Sequence, residues 1–151
     1  MLESDPTRRL TWVKRPRGER EIPTDFELRS ERRGDVLIVT FVGASNDANS
    51  QAMTRRYFEL VLGAGCSKVL ADLRALQGRL TGAGTFFLVR NLPVERVPTG
   101  IKTAIVEAPE NRAYAAFLET TAANAGVYFR CFVDYGEALA WLDSPVPASR
   151  A

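Results

Sequence analysis

Histidine is absent from this chain of 151 residues. That removes the commonest metal ligand, the commonest general base and the one side chain that titrates unperturbed near neutral pH. Cysteine is scarce. Cys66 and Cys131 stand far apart, which is no disulfide framework, and such sparse use fits a reducing compartment. No apolar run approaches the ~18 residues needed to cross a bilayer. The first ten residues, MLESDPTRRL, hold acids and a proline where a signal peptide needs an apolar stretch. A cytoplasmic protein without a transmembrane segment is expected. Neither charge sign dominates: the net charge is +2, so nucleic acid is not an expected partner.

The motifs of common chemistries are missing too. There is no His for a triad, no G-x-S-x-G elbow and no metal-ligand cluster. "GRLTGAG" lacks the lysine of a phosphate-binding P-loop and the spacing of a dinucleotide fingerprint. "LGAGCSK" contains a G-x-G, but it ends a helical stretch where a nucleotide site needs to open one. No catalytic residue, metal or cofactor is expected.

What is present is a regular alternation. Residues 1–24 stand apart: between Arg8 and Arg20 lie Arg8, Arg9, Lys14, Arg15, Arg17 and Arg20 against Glu19 alone, with no countable period. They read as a flexible basic arm, with Trp12 as an apolar anchor should the arm meet an acidic partner. Residues 25–143 form the domain, and 144–151 a disordered tail.

Within the domain, "FELRSE" and "DVLIVTFV" flank the turn signal "RRGD" and predict a hairpin. "SNDANSQAMTRRYFELVLGAG" predicts a helix. Asn46 or Asp47 is its cap, Met53, Tyr57, Leu60 and Val61 form its inner face, and Gly63 or Gly65 is its stop. "SKVLADL", "KTAIVEA" and "VYFRCFV" read as strands, the first two buried on both faces. Between and after them come helices at "TGAGTFFLVRNL", "PENRAYAAFLETTAANAG" and "DYGEALAWL". The last opens on Asp134 and Glu137, spaced like a capping box. Glu107 and Glu110 flank Pro109 and read as acids favouring a helix start. The order β-β-α-β-α-β-α-β-α predicts an α/β domain: a mostly parallel sheet in sequential order, one antiparallel edge strand and about four helices. Val69, Leu70, Ala104, Ile105, Val106, Phe129, Phe132, Trp141 and Cys131 are its expected core.

That order resembles STAS domains and the related SpoIIAA-like domains. "KVLADLRALQG" is similar to the strand and loop before their second helix. "KTAIVEAPENRAYAAFLETTAANAGVYFRCFVDYGEALAWL" is similar to the SpoIIAA-like C-terminal half. The resemblance covers roughly residues 25–143. It implies a SpoIIAA-like (STAS-like) fold and a partner-binding or regulatory module, not an enzyme. In the anti-sigma antagonist branch, some members are switched by phosphorylation at the start of the second helix. On this chain the family's strand aspartate falls on Asp72 and its phosphoacceptor on Thr81. Leu80 stands where that branch has an acid.

The stretch "ADLRALQGRLTGAG" is therefore the expected working surface: Asp72, Arg74, Arg79, Thr81, Gly82 and Gly84, with Phe86 in the helix that follows. Read as an N-cap, Thr81 accepts a backbone N–H two or three residues on. Read as a phosphosite, it meets the helix dipole with Arg79 or Arg74 nearby. Free N–H groups at Gly82–Gly84 suit a small anion. Phe86 and Phe87 are adjacent, so one should face the core and the other join an exposed patch fit for a protein partner, a second copy or a lipid-like ligand; alternatively both lie under "PVERVPTG". The main expectation is a non-enzymatic regulatory, protein-interaction or small-ligand module, taking an apolar or anionic ligand. The alternative is a small hydrolase or ligand-modifying enzyme using Asp72 in a cleft at the carboxyl ends of the strands.

Overall fold

The computed structural model of the chain describes residues 12–13, 22–23, 25–96 and 100–145. Two short strands, β1 (Trp12–Val13) and β2 (Ile22–Pro23), pair antiparallel. The other residues of the arm expected over 1–24 lie outside the described residues, as does the tail beyond residue 145.

The main sheet begins with the hairpin read from "RRGD". Strand β3 (Phe26–Arg33) pairs antiparallel with β4 (Val36–Ala44). Gly34 makes the turn at φ 64°, a left-handed conformation that favours glycine. Next come helix α1 (Ser50–Ala64), β5 (Lys68–Asp72), the two-residue β6 (Leu76–Gln77) and α2 (Gly82–Arg90). Strand β7 (Lys102–Val106), α3 (Arg112–Asn124), β8 (Arg130–Phe132) and α4 (Tyr135–Asp143) complete the domain. The strand order is β3-β4-β5-β7-β8, sequential as expected, and every pair after the hairpin is parallel. Strand β6 was not foreseen. It adds to the far end of β4, beside Gly43 and Ala44.

Register explains how the faces divide. Val39, Ala71, Ile105 and Cys131 lie side by side across four strands, and Ile38, Leu70, Ala104 and Arg130 alternate with them. The first row faces α1, whose Met53 and Val61 are buried against Leu37, Val39 and Val69. The second row faces α4, whose Ala138 and Leu142 are buried against Ile38, Leu70 and Val106. Of the two glycines read as stops, Gly65, at φ 69°, ends α1, and Gly63 lies within the helix. Asp134 caps α4 by accepting the Glu137 N–H at 2.9 Å.

Several expectations need correction. Only Arg130–Phe132 of "VYFRCFV" pairs as a strand, because Val127 N–H still bonds back to Ala122 at the end of α3. The outer edge of β8 is covered by a side chain: Glu119 accepts the Cys131 N–H at 2.8 Å. Val69, Leu70, Ala104 and Val106 are buried, but Ile105, Phe129, Phe132, Trp141 and Cys131 are only partly so. Ile105 and Phe129 border a cavity. Phe132 and Trp141 pack on each other at the sheet edge, with ring centroids 5.7 Å apart. Trp141 also covers Lys102, whose ammonium lies 4.5 Å from the ring centre. That ammonium donates to the carbonyls of Trp141 and Ser144 and to Ser144 Oγ, so it closes the C-terminal end of α4.

Candidate functional site

The loop from Asp72 to Thr81 leaves the carboxyl end of β5 and enters α2, where α/β folds gather their sites. Its residues go to three separate places.

Asp72 and Arg74 pair with each other. The Asp72 carboxylate accepts Arg74 Nε at 2.9 Å, Nη2 at 2.8 Å and the Arg74 backbone N–H at 3.1 Å. The guanidinium lies 5.0 Å above the Tyr135 ring. Asp72 does not border the large cavity described below, and both its oxygens are engaged.

Arg79 turns inward, away from Thr81. Its Nε donates to Glu107 Oε2 at 2.8 Å and its Nη2 to Glu107 Oε1. The remaining N–H groups reach the carbonyls of Leu73, Leu76 and Gly78. The loop is thus wound around one guanidinium. Glu107, which the sequence presents as a helix-start acid, is fully buried at the end of β7. The local signal points the other way because its partner is 28 residues distant.

Thr81 is the N-cap of α2, as the sequence suggests. Its backbone is extended, and Oγ1 accepts the Gly84 N–H at 2.9 Å. Asn46 or Asp47 was expected to cap α1; its N-cap is Asn49, which makes no side-chain cap bond. Asn46 and Asn49 bond reciprocally at the entry to α1, while Asp47 crosses to α2. Its Oδ2 accepts the Thr81 hydroxyl at 2.7 Å and its Oδ1 the Thr81 N–H at 3.2 Å. A carboxylate therefore already sits where a phosphate on Thr81 would lie, at the positive end of α2. Gly84 leaves room for it. Gly82 is open except for the Phe117 ring, 4.0 Å from where its Cβ would be.

Phe86 and Phe87 are both exposed, at 53% and 55%. The inner face of α2 is spent on Thr85 and Val89, one turn apart, so neither neighbour of Thr85 on the C-terminal side points inward. Arg90 covers the Phe86 ring at 5.0 Å. Phe117 on α3 is exposed as well.

No local motif announces a further concave feature, an apolar cavity. A cavity of about 340 Å³ lies between the sheet and the helices α1, α2 and α3. Phe41, Ala71 and Ile105 form its floor, Met53 and Tyr57 one wall, and Leu88 and Val89 another. Its polar groups are largely turned to partners. Tyr57 bonds to Thr103, and burial pushes its phenol upward in pKa. The Tyr114 hydroxyl lies 2.9 Å from Thr85 Oγ1. Arg79 is the charged residue on the cavity wall. Among the described residues, no three His, Cys, Asp or Glu side chains stand together as metal ligands. No described helix is long and apolar enough to cross a membrane.

No family model and no curated protein matches the chain. Solved structures do. An anti-sigma factor antagonist from Mycobacterium paratuberculosis superposes with a TM-score of 0.57 at 15% identity, over 80% of this chain and 96% of that one. A protein of the DUF3478 family with a SpoIIAA-like fold, from Shewanella loihica PV-4, superposes with a TM-score of 0.50 at 24% identity, over 78% and 93%. The domain has the SpoIIAA-like fold.

Proposed function

We propose that this domain is a non-enzymatic regulatory module that binds a small apolar molecule in the cavity between the sheet and the helices α1–α3. The cavity carries the reading. Its volume of about 340 Å³ is in the range of small-molecule sites, and its lining is mainly aliphatic and aromatic. Such a space favours apolar ligands, since water there finds few free polar partners. Chemistry is not supported by the lining, which among the described residues holds no carboxylate, thiol or amine. Asp72, the candidate of the enzyme alternative, lies outside the cavity in a closed ion pair. Likeness to an anti-sigma factor antagonist supports a regulatory, protein-binding role. The exposed Phe86 and Phe87 lie on α2, the same helix whose Leu88 and Val89 border the cavity. A ligand and a protein partner would therefore read opposite sides of one helix.

The test is titration with Nile red, an uncharged dye that brightens in apolar sites. Saturable binding at one dye per chain is expected. Ile105→Phe, which adds a ring to the cavity floor, is expected to abolish it while the thermal midpoint stays near the parent value. Absence of binding, or binding indifferent to Ile105→Phe, overturns the reading.

A further inference from the structure

An arginine on the wall of an apolar cavity ordinarily marks the place of a carboxylate or phosphate headgroup, because its N–H fork matches those anions. Arg79 does not offer that fork. A guanidinium has five N–H donors, and here two go to Glu107 and three to the carbonyls of Leu73, Leu76 and Gly78. Glu107 is fully buried, and Arg79 is its nearest opposite charge, with Nε–Oε2 at 2.8 Å. An anionic ligand would have to displace a buried carboxylate from its partner or lie unpaired beside it, and both are costly away from water.

Resting on the cavity reading above, we propose that Glu107 is a specificity-determining residue: by saturating Arg79 it makes the cavity select uncharged apolar ligands, such as long-chain alcohols, over carboxylate-bearing ones of the same length. The hydroxyl pairs Tyr114–Thr85 and Tyr57–Thr103 fit this selection, since a hydroxyl both donates and accepts and can join such a pair without bringing charge.

The experiment is displacement of Nile red by decanol and by decanoate, at a pH where decanoate is ionised. In the parent protein decanol should compete at a concentration lower by about tenfold or more. Glu107→Gln keeps the shape and removes the charge, leaving the positive charge of Arg79 uncompensated beside the cavity, so the decanol-to-decanoate ratio should narrow several-fold. Should Glu107→Gln not fold, Glu107→Asp takes its place: it keeps the charge but is too short to span Nε and Nη2, and the ratio should narrow in the same direction. Equal competition in the parent overturns the selectivity while the cavity reading stands. An unchanged ratio in the folded variant does the same. Failure of Nile red to bind at all overturns both, and is recognised by that signal alone.

Discussion

Asp47 and Gly84 share one volume. A Cβ on Gly84 would lie 2.6 Å from Asp47 Cγ and 2.8 Å from Oδ2, closer than real side chains approach. The glycine near the start of α2 is therefore explained by a carboxylate 37 residues earlier in the chain. It is not explained by backbone freedom, since its φ is not positive.

Two opposing effects meet at that position. Gly84→Ala gains about 1 kcal/mol of helix propensity. It also drives Asp47 off Thr81, and such overpacking costs about 1–3 kcal/mol. Net destabilisation is expected in urea unfolding. In an Asp47→Ala background the clash is gone, and Gly84→Ala should become neutral or stabilising. The same loss in both backgrounds would show that the two residues are independent.

Thr81→Ala removes the cap of α2 and should cost about 0.5–2 kcal/mol, while Thr81→Ser keeps it. Thr81→Glu should be worse than Thr81→Ala, because a second carboxylate would face Asp47 across the 2.7 Å now bridged by a hydroxyl. A Thr81→Glu variant as stable as the parent would mean that Asp47 moves aside freely and that phosphate on Thr81 is accommodated.

Burial, together with the neighbouring Glu119 and Glu107, pushes the Cys131 thiol up to about 12. The unfolded chain then loses this proton first. The contribution to stability is fully present below about 9, the ordinary thiol value, and is lost as pH rises from there towards 12. Tyr57 and Tyr114, also raised by burial, act with the same sign. Thermal midpoints should fall through this window, and Cys131→Ala should flatten part of the fall. Iodoacetamide should label Cys131 in the folded protein near neutral pH far more slowly than in urea. Equal labelling rates would show an exposed thiolate.

Lys102→Met removes three bonds at the end of α4; the Trp141 carbonyl keeps the Ser144 hydroxyl and N–H, while the Ser144 carbonyl loses its lysine donor, at an expected cost of about 1–3 kcal/mol. Trp141→Ala should cost less than the roughly 3–5 kcal/mol of a fully packed ring, since one side of it covers only the Lys102 stem and ammonium. Denaturant unfolding of both variants checks the pair. A Trp141 loss at the full value would place the ring in the core.

The parts legible in the sequence are those that repeat locally. The apolar runs of β4, β5 and β7, the turn at Gly34, the stop at Gly65 and the caps at Thr81 and Asp134 each announce themselves within a few residues. What was not legible joins distant positions. Glu107 meets Arg79 across 28 residues and Asp47 meets Thr81 across 34, so no periodicity records either contact. One signal was there to be read: "GAG" inside the first turn of a helix is poor helix chemistry, and glycine in such a place marks close approach by another group. Strand β6 is two residues long, too short for any alternation to show. The cavity is invisible for a different reason. Its lining comes from residues that each look like ordinary core, and only their failure to meet makes the space.

The sheet is covered unequally. Helices α1, α2 and α3 share one face, whereas Ile38, Leu70, Ala104 and Val106 on the other depend on α4, nine residues long, with two fully buried side chains and one lysine at its end. Strands β5 and β7 are central by topology, yet among the described residues one side of each lies behind that single helix. Release of α4, which packs on β5, β7 and β8, would uncover that apolar stripe. An apolar stripe of that kind is sticky, so variants that loosen α4 are expected to aggregate at lower concentration than the parent protein.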